Sequence, residues 1–326
     1  MSASQRLSSP QAPASLEPVR PTLASLWAQV EQTKRECPRP SESAAAREAS
    51  ASELEEAREA GEIGFYARLL VQLTLPHSAV LGNEYERRNG DLVLSLLAPS
   101  RIGLPYGSLP RLLLAWVTAE AVRTKQRELV FGNTLASFME QLDLIPTGGR
   151  WGSIPRLRQQ MTRLFATTIS VSNTGNANLT DLQTATVADR ALIFWDPQRP
   201  SQAALWHSTV TLSERFFESI THRPVPIDMR ALKALRRSPM ALDFYVFLTH
   251  RMSYLRKPVP LPWELLKGQF GAEYGRLVDF RAQVRKAIRS VQAVYPQLDV
   301  RPATDALWLY PSPTHVPRIN AHTRYA

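Results

Sequence analysis

The sequence predicts a helix-rich α+β protein in which one unit of helices and a short hairpin occurs twice, after a disordered N-terminal arm. Three observations support this prediction: amphipathic helical patterns alternate with short β-branched or aromatic runs, proline and glycine mark the boundaries, and the order of elements repeats. A chain of 326 residues, 44% hydrophobic and 21% charged, is long enough for about two domains.

The N-terminal arm, residues 1–60, is expected to be disordered or partly helical. It is rich in proline and serine up to Pro40, and the stretch SESAAAREASASELEEAREAGE that follows has few large apolar residues to bury. Docking of another protein and no role at all both stay open for this arm.

The first folded unit is predicted over residues 61–223. Two apolar runs, FYARLLVQLTLP and DLVLSLLAP, flank an expected polar loop at about residues 83–90, and the helix LPRLLLAWVTAEAVRTKQ and the strand RELVFG follow. Asn133 is the expected N-cap of the helix TLASFMEQLDL, and Ser153 that of IPRLRQQMTRLFA. TTISVS, LQTATVAD and ALIFWDP are then typical of hairpin strands.

The second unit, predicted over residues 224–311 with a tail at 312–326, repeats this order. Asp228 is expected to cap MRALKALRR, and Ser238 with Pro239 to begin the apolar helix MALDFYVFLTHRM. The short helix LPWELLKGQFG, the long helix RLVDFRAQVRKAIRSVQAVYP and the hairpin LDVRP with ALWLYP complete it. This is the order of a winged helix-turn-helix module, so the sequence predicts two such domains in tandem, an architecture that binds DNA.

The charge of the chain also favours a nucleic-acid partner. The chain has 39 basic and 29 acidic residues, a net charge of +10 and a pI of about 10.0, which favours binding to polyanions. The excess is uneven, because residues 1–60 carry a net −2 while residues 230–301 carry 14 basic and 5 acidic residues, net +9. The alternative is a basic surface without a nucleic-acid partner.

The last long helix separates its faces. An apolar stripe converges within about 60° of one direction when residues are spaced by roughly 100°: Leu277, Phe280, Val284, Ile288, Val291 and Tyr295. Arginine can bond guanine edges or phosphates in a bidentate manner, and glutamine can pair with adenine. The predicted DNA-binding residues of this unit are Arg276, Arg281, Gln283, Arg285, Lys286, Arg289 and Arg301. A merely solvated basic face is the alternative.

The equivalent helix of the first unit is a weaker candidate because it carries fewer charges. Its predicted DNA-contacting face consists of Arg156, Arg158, Gln159, Gln160 and Arg163. The apolar strands ALIFWDP and LWHSTVTL either close the first core, with Trp195 and Trp206 inside, or pair with another copy through an exposed strand edge.

Enzyme motifs are missing from the sequence. It has no G-x-x-x-x-G-K-[ST] loop, no closely spaced histidine pair and no G-x-S-x-G elbow, and Cys37 lies in the arm. We therefore expect no catalytic activity, metal or cofactor; a tyrosine nuclease that nicks DNA stays conceivable. The single cysteine and the absence of a signal or apolar span favour a cytoplasmic protein without a membrane partner.

Residues 103–311 resemble the plasmid replication initiators of the RepA type, which have two winged-helix domains and bind iterated origin repeats. The resemblance is carried by four stretches: GSLPRLLLAWVTAEAVRTKQRELVFGNTLASFMEQLDL, GGRWGSIPRLRQQMTRLF, LWHSTVTLSERFFESI and SPMALDFYVFLTHRMSYLRKPVPLPWELLKGQFG. It implies binding of double-stranded direct repeats (iterons) and recruitment of host replication proteins, such as the host initiator and the helicase. It also implies autoregulation by a homodimer in equilibrium with an initiating monomer.

The resemblance assigns the main DNA contacts to the second unit, which agrees with the +9 block there, and leaves dimerisation and auxiliary DNA contacts as the expected roles of the first unit. A winged-helix transcriptional repressor without a replication role is the alternative function. The two functions differ in their target, since an initiator binds several direct repeats beside an A·T-rich tract and a repressor binds an inverted repeat over a promoter.

Overall fold

The computed structural model describes residues 62–72, 74–175, 181–194, 201, 208–271 and 274–316. The predicted arm, Cys37, Trp195 and Trp206 lie outside the described residues, as does most of the tail. Within the described part the chain has nine helices and four small antiparallel sheets, which confirms the helix-rich α+β class.

Helices and strands are interspersed along the chain. The helices are α1 (Arg68–Gln72), α2 (Ser108–Thr124), α3 (Leu135–Gln141), α4 (Ser153–Phe165), α5 (Glu214–Thr221), α6 (Met229–Ala234), α7 (Pro239–Met252), α8 (Trp263–Phe270) and α9 (Leu277–Val294). The strands are β1 (Ile63–Tyr66), β2 (Glu84–Asn89), β3 (Leu92–Leu97), β4 (Glu128–Val130), β5 (Thr168–Asn173), β6 (Asp181–Thr186), β7 (Ala188–Leu192), β8 (Thr209–Leu212), β9 (Val225–Asp228), β10 (Val259–Pro262), β11 (Val300–Pro302) and β12 (Ala306–Leu309).

Two three-stranded sheets have the same order of strands. In the sheet β4-β8-β7, the last strand along the chain, β8, lies in the middle and pairs with β4, which precedes the short helix α3, and with β7. In the sheet β10-β12-β11, the last strand, β12, likewise lies in the middle and pairs with β10, which precedes the short helix α8, and with β11. Each set encloses, along the chain, a short helix followed by a longer one, α3 then α4 and α8 then α9. The first set also encloses β5 and β6, which belong to another sheet, so the two units share the strand order and the pair of helices but differ by this insertion.

A four-stranded sheet, β2-β3-β5-β6, differs from the sequence expectations. The expected polar loop at residues 83–90 is wrong, because residues 84–89 form β2 and pair with β3 in continuous register from Glu84 with Leu97 to Asn89 with Leu92. An edge strand pairs with only one other strand and tolerates polar side chains. Its sequence therefore resembles that of a polar loop. TTISVS becomes β5, which pairs with β3 and β6, so the hairpin it forms with β6 lies outside the β4-β8-β7 sheet.

Strand β1 pairs with β9 in the fourth sheet. Ile63 lies opposite Asp228 and Tyr66 opposite Val225, so this pair spans the predicted boundary between residues 223 and 224. The two prolines of this link predict an irregular segment. Pro226 nevertheless fits in β9, because β9 is an outer strand that hydrogen-bonds to only one neighbouring strand, β1. The division into domains itself stays a prediction.

The helix caps show where local sequence reasoning succeeds. The Asp228 side chain accepts bonds from the N–H groups of Arg230 and Ala231, and that of Ser238 accepts from Ala241, with Pro239 in the first turn, as predicted. The expectation for α3 is wrong by one residue, because Thr134 rather than Asn133 accepts from Ser137 N–H at 3.0 Å.

The expected cap of α4 is also wrong. Gly152 holds the N-cap position without a side-chain bond, and Ser153 is the first helical residue. The hydroxyl of Ser153 instead bonds to the preceding loop, lying 3.0 Å from that of Thr147, since the loop folds back over the start of the helix.

A buried ion pair joins α2 to α7. Arg111, which is 1% exposed, donates from Nε and Nη2 to the two carboxylate oxygens of Asp243, each at 2.7 Å. His77 Nε2 lies 2.7 Å from the same carboxylate. Burial alone would raise the pKa of Asp243, but the charge of Arg111 and the hydrogen bonds from His77 and Arg111 outweigh it and hold that pKa below its usual value. The carboxylate therefore stays ionised inside the core.

Candidate nucleic-acid interface

Helix α9 has the separation of faces that the sequence predicts. Phe280, Val284, Ile288 and Val291 are each at most 1% exposed, and the helix packs against α7 and α8 on this side. Tyr295, just beyond the helix, is buried as expected, whereas Leu277 at the first turn is only partly buried. The apolar stripe thus fixes which side chains face outward.

The outward face of α9 is basic. Gln283, Arg285, Lys286 and Arg289 are exposed, and within the described residues none of the three cations forms an ion pair. Cations held on a rigid helix without intramolecular carboxylate partners keep their charge available for an external anion. These four residues are the strongest candidates for contact with nucleic acid.

The two flanking arginines of α9 are engaged within the protein. Arg276 lies 3.3 Å from the carboxylate of Asp279, a solvent-exposed pair one helical turn away. Arg281 is partly buried, its guanidinium lies 5.6 Å from the ring centroid of Trp263 in α8, and its Nε is buried without a hydrogen-bond partner in the described part. Arg281 therefore braces α9 against α8, and its predicted role towards DNA stays untested.

Arg301 extends the basic surface to the β11–β12 hairpin. Its Nε and Nη2 each donate to Asp299 at 2.8 Å, and its guanidinium lies 4.5 Å from the ring centroid of Tyr310. These contacts orient an exposed arginine, and its charge is partly balanced by Asp299. The hairpin is fastened to α8 because Trp263 Nε1 donates to the carbonyl of Ala303 at 3.2 Å.

Helix α4 presents a smaller basic face than the sequence predicts. Arg156, Arg158 and Gln159 are exposed, as expected. The expectation that Gln160 is exposed is wrong, because its side chain is 4% exposed and its Oε1 accepts the N–H of Tyr106 at 3.0 Å. Helical spacing placed Gln160 beside the apolar stripe, and the packing of the 104–107 segment covers it.

Arg163 is partly buried at the other end of α4. Its Nη1 donates to the carbonyl of Leu104 at 3.1 Å, and its guanidinium lies 5.1 Å from the ring centroid of Tyr106. These contacts hold the segment before α2 against α4. The outward cations of α4 are accordingly reduced to Arg156 and Arg158.

Two features near α4 escaped the sequence analysis. Trp151, 81% exposed, lies in the turn before α4 with the guanidinium of Arg150 at 5.2 Å from its ring. Arg236 and Arg237, which follow α6, line the same cavity as Arg156. The run GGRWG and the doublet of arginines were visible signals, but only the fold brings the doublet next to α4.

Within the described ranges, no group of three or more His, Cys, Asp and Glu side chains is placed to hold a metal ion. None of the helices in that part of the chain is long and apolar enough to cross a bilayer.

Fold and surface together define a class: a helix-rich α+β protein with two units of like connectivity, each with a longer helix that presents basic side chains. Residues 104–259 match the family described as Plasmid encoded RepA protein. This match over 156 of the 326 residues confirms the resemblance to that family drawn from the sequence motifs.

Solved structures with a similar fold were found, whereas no curated protein sequence matches the chain. A crystal structure of domains 2 and 3 of RctB, as selenomethionine derivatives, has a TM-score of 0.50 and 10% identity, covering 76% of this chain and 96% of that one. A second crystal structure of RctB domains 2–3 has a TM-score of 0.44 and 11% identity, with coverages of 73% and 92%. At this identity the first likeness concerns the fold alone.

Proposed function

We propose that this protein is a plasmid replication initiator that binds repeated duplex sites, or iterons, at its origin, with α9 as the main DNA-contacting helix. The observation that carries the proposal is the outward face of α9, where Arg285, Lys286 and Arg289 are exposed and free of ion pairs within the described residues. The family match over residues 104–259 supports the replication role.

The winged-helix arrangement is part of this proposal. The order α7, β10, α8, α9, β11, β12 supports it, because α8 and α7 pack behind α9 while the hairpin follows it directly. An α-helix fits the major groove, which is about 12 Å wide, and a hairpin beside it can reach the adjacent backbone. A similar order in α2, β4, α3, α4, β7, β8, interrupted after α4 by β5 and β6, supports a second DNA-contacting unit with fewer charges.

The remaining properties of the proposed initiator concern its partners. It recruits host replication proteins, including the helicase, represses its own gene as a dimer and acts without enzymatic activity. An edge strand supports dimerisation: β7 pairs only with β8 within the described residues, so its other edge can pair with a second copy.

A footprint on the DNA that flanks the coding gene tests the target. Protection of several direct repeats beside an A·T-rich tract is the expected result. Protection of one inverted repeat over a promoter would instead indicate a transcriptional repressor, and a covalent protein–DNA adduct would indicate a nicking enzyme.

A triple substitution tests the role of α9. Arg285→Ala, Lys286→Ala and Arg289→Ala together leave the apolar stripe intact, so the variant should fold and lose specific binding, at on the order of 1 to 3 kcal/mol for each base-contacting arginine. A control with the same charge change replaces three exposed arginines elsewhere, Arg88, Arg101 and Arg123, by alanine. Equal affinity of parent and α9 variant for the protected repeats, at fixed salt, would remove α9 from the interface.

A further inference from the structure

A groove of about 470 Å³ lies where the two units meet. It is bounded by the start of α2, the outward side of α4 and the turn between α6 and α7. This volume is in the range of sites that hold small molecules or a short piece of a polymer backbone. Nothing in the sequence analysis pointed to it, because its walls come from segments that lie far apart in the chain.

The walls of this groove are basic. Arg156, Arg236 and Arg237 line it, and no aspartate or glutamate is among the described residues that do so. Arg236 lies 2.6 Å from Asp143, which is not one of the lining residues, so that arginine is held in place by a carboxylate outside the groove. Arg156 and Arg237 are exposed and have no ion pair within the described part. The groove is therefore electropositive.

A buried amide supplies hydrogen-bond donors to the same space. Gln160, 4% exposed, lines the groove, and its Oε1 is occupied by the N–H of Tyr106. Its Nε2 makes no hydrogen bond within the described residues. The two N–H donors of this amide are therefore open to the groove and suit a ligand that accepts hydrogen bonds.

The start of α2 adds to the attraction for an anion. Gly107, Ser108 and Leu109 line the groove, and Gly107 holds the N-cap position of this 17-residue helix without a side-chain cap. The first N–H groups of an α-helix lack partners within the helix and carry a partial positive charge. Arginine side chains, amide donors and a helix N-terminus together match the acceptors and charge of a phosphate.

We infer that this groove binds a phosphate group. Its position beside Arg156 and Gln159 makes the backbone of the duplex bound by α4 the expected source, and this assignment of the source rests on the proposed function. A free phosphorylated molecule has the same chemistry, so the experiment includes an arm without DNA.

The first arm measures the salt dependence of binding to a duplex of arbitrary sequence, since a phosphate contact does not depend on sequence. Arg237→Ala should lower the log–log slope by about 0.9 if one phosphate contact is lost. Arg123→Ala is the control, because it removes one exposed arginine, paired with Glu120, roughly 21 Å further along α2, at a rise of about 1.5 Å per residue.

The second arm titrates the parent and Gln160→Glu with inorganic pyrophosphate in the absence of DNA, by calorimetry. Glutamate keeps the acceptor for Tyr106 N–H, while it removes both donors and adds a negative charge, so binding should be lost. Arg237→Ala should weaken the binding of pyrophosphate too, and this exposed residue gives an answer even if Gln160→Glu folds poorly.

A lower slope for Arg237→Ala with an unchanged slope for Arg123→Ala supports phosphate binding in the groove, with duplex DNA as the source of the phosphate. An unchanged slope, together with pyrophosphate binding that is lost in Gln160→Glu and weakened in Arg237→Ala, supports phosphate binding in the groove with a free phosphorylated molecule as the ligand. If neither arm responds, the inference is overturned. If the parent binds no DNA, the proposed function fails, and the pyrophosphate arm alone decides on the groove.

Discussion

Replacing Asp243 by asparagine should destabilise the protein far more than its small change in volume suggests. All five N–H donors of Arg111 are used: two bond to Asp243, and the other three to the carbonyls of Pro76, Gly107 and Leu75 at 3.1, 2.6 and 2.7 Å. The variant leaves a guanidinium that is 1% exposed without its counter-charge. Breaking a buried pair from one side costs about 3 to 5 kcal/mol.

A control variant tests whether the loss of stability depends on the burial of the ion pair. Asp279→Asn removes a carboxylate from the exposed Arg276 pair, where the two side chains are 75% and 57% exposed, and exposed pairs contribute about 0 to 1 kcal/mol. Urea denaturation at neutral pH gives the free energy of unfolding of the parent and of each variant. Equal losses in the two variants would refute the assignment of the buried pair as a major contribution to stability.

The pH dependence gives a second check on the same residue. The pKa of Asp243 is lowered in the folded protein, so its carboxylate contributes fully above its unfolded pKa of about 3.9, and that contribution is lost as pH falls through the lower folded value. The difference in unfolding free energy between parent and Asp243→Asn should therefore shrink in this acidic window. A difference that stays constant down to the acid end would contradict the lowered pKa.

Two further predictions concern packing and protonation. In Gly271→Ala the new Cβ would lie 2.3 Å from the ring of Phe280, which is fully buried, so unfolding should become easier by about 1 to 3 kcal/mol; Gly148→Ala, with nothing within 4 Å, is the neutral control in the same urea titration. Burial lowers the pKa of His315, so stability should fall as pH drops below its usual value of about 6.5, and the unfolding free energy of His315→Asn should show less of this fall; identical pH profiles would refute it.

Local patterns predicted the elements whose cause is local. The α9 stripe, the Asp228 cap and the Ser238–Pro239 start follow from helical period and from the capping preference of short polar side chains, which depend on neighbours within one turn. Where two polar residues compete, as Asn133 and Thr134 do before α3, the choice depends on backbone angles that the sequence does not contain.

What sequence reasoning missed depends on distant partners. Strand β2 is polar because it has only β3 beside it, and Gln160 is buried because the segment at residues 104–107 lies over it. The groove between the units requires Arg156 and Arg237 to meet across 80 residues of intervening chain, so no window of sequence could reveal it. Helix faces were therefore predictable, whereas surfaces built from several elements were not.

The pairing of β1 with β9 limits how the chain can be dissected. A fragment that begins at residue 224 would keep β9 but lose its partner strand, although Val225 and Ile227 are 3% and 0% exposed in the whole protein. Such a fragment would present an open strand edge and uncovered apolar side chains to solvent, a combination that promotes self-association. Fragments meant to isolate the C-terminal half should therefore keep residues 62–66, joined to it by a linker.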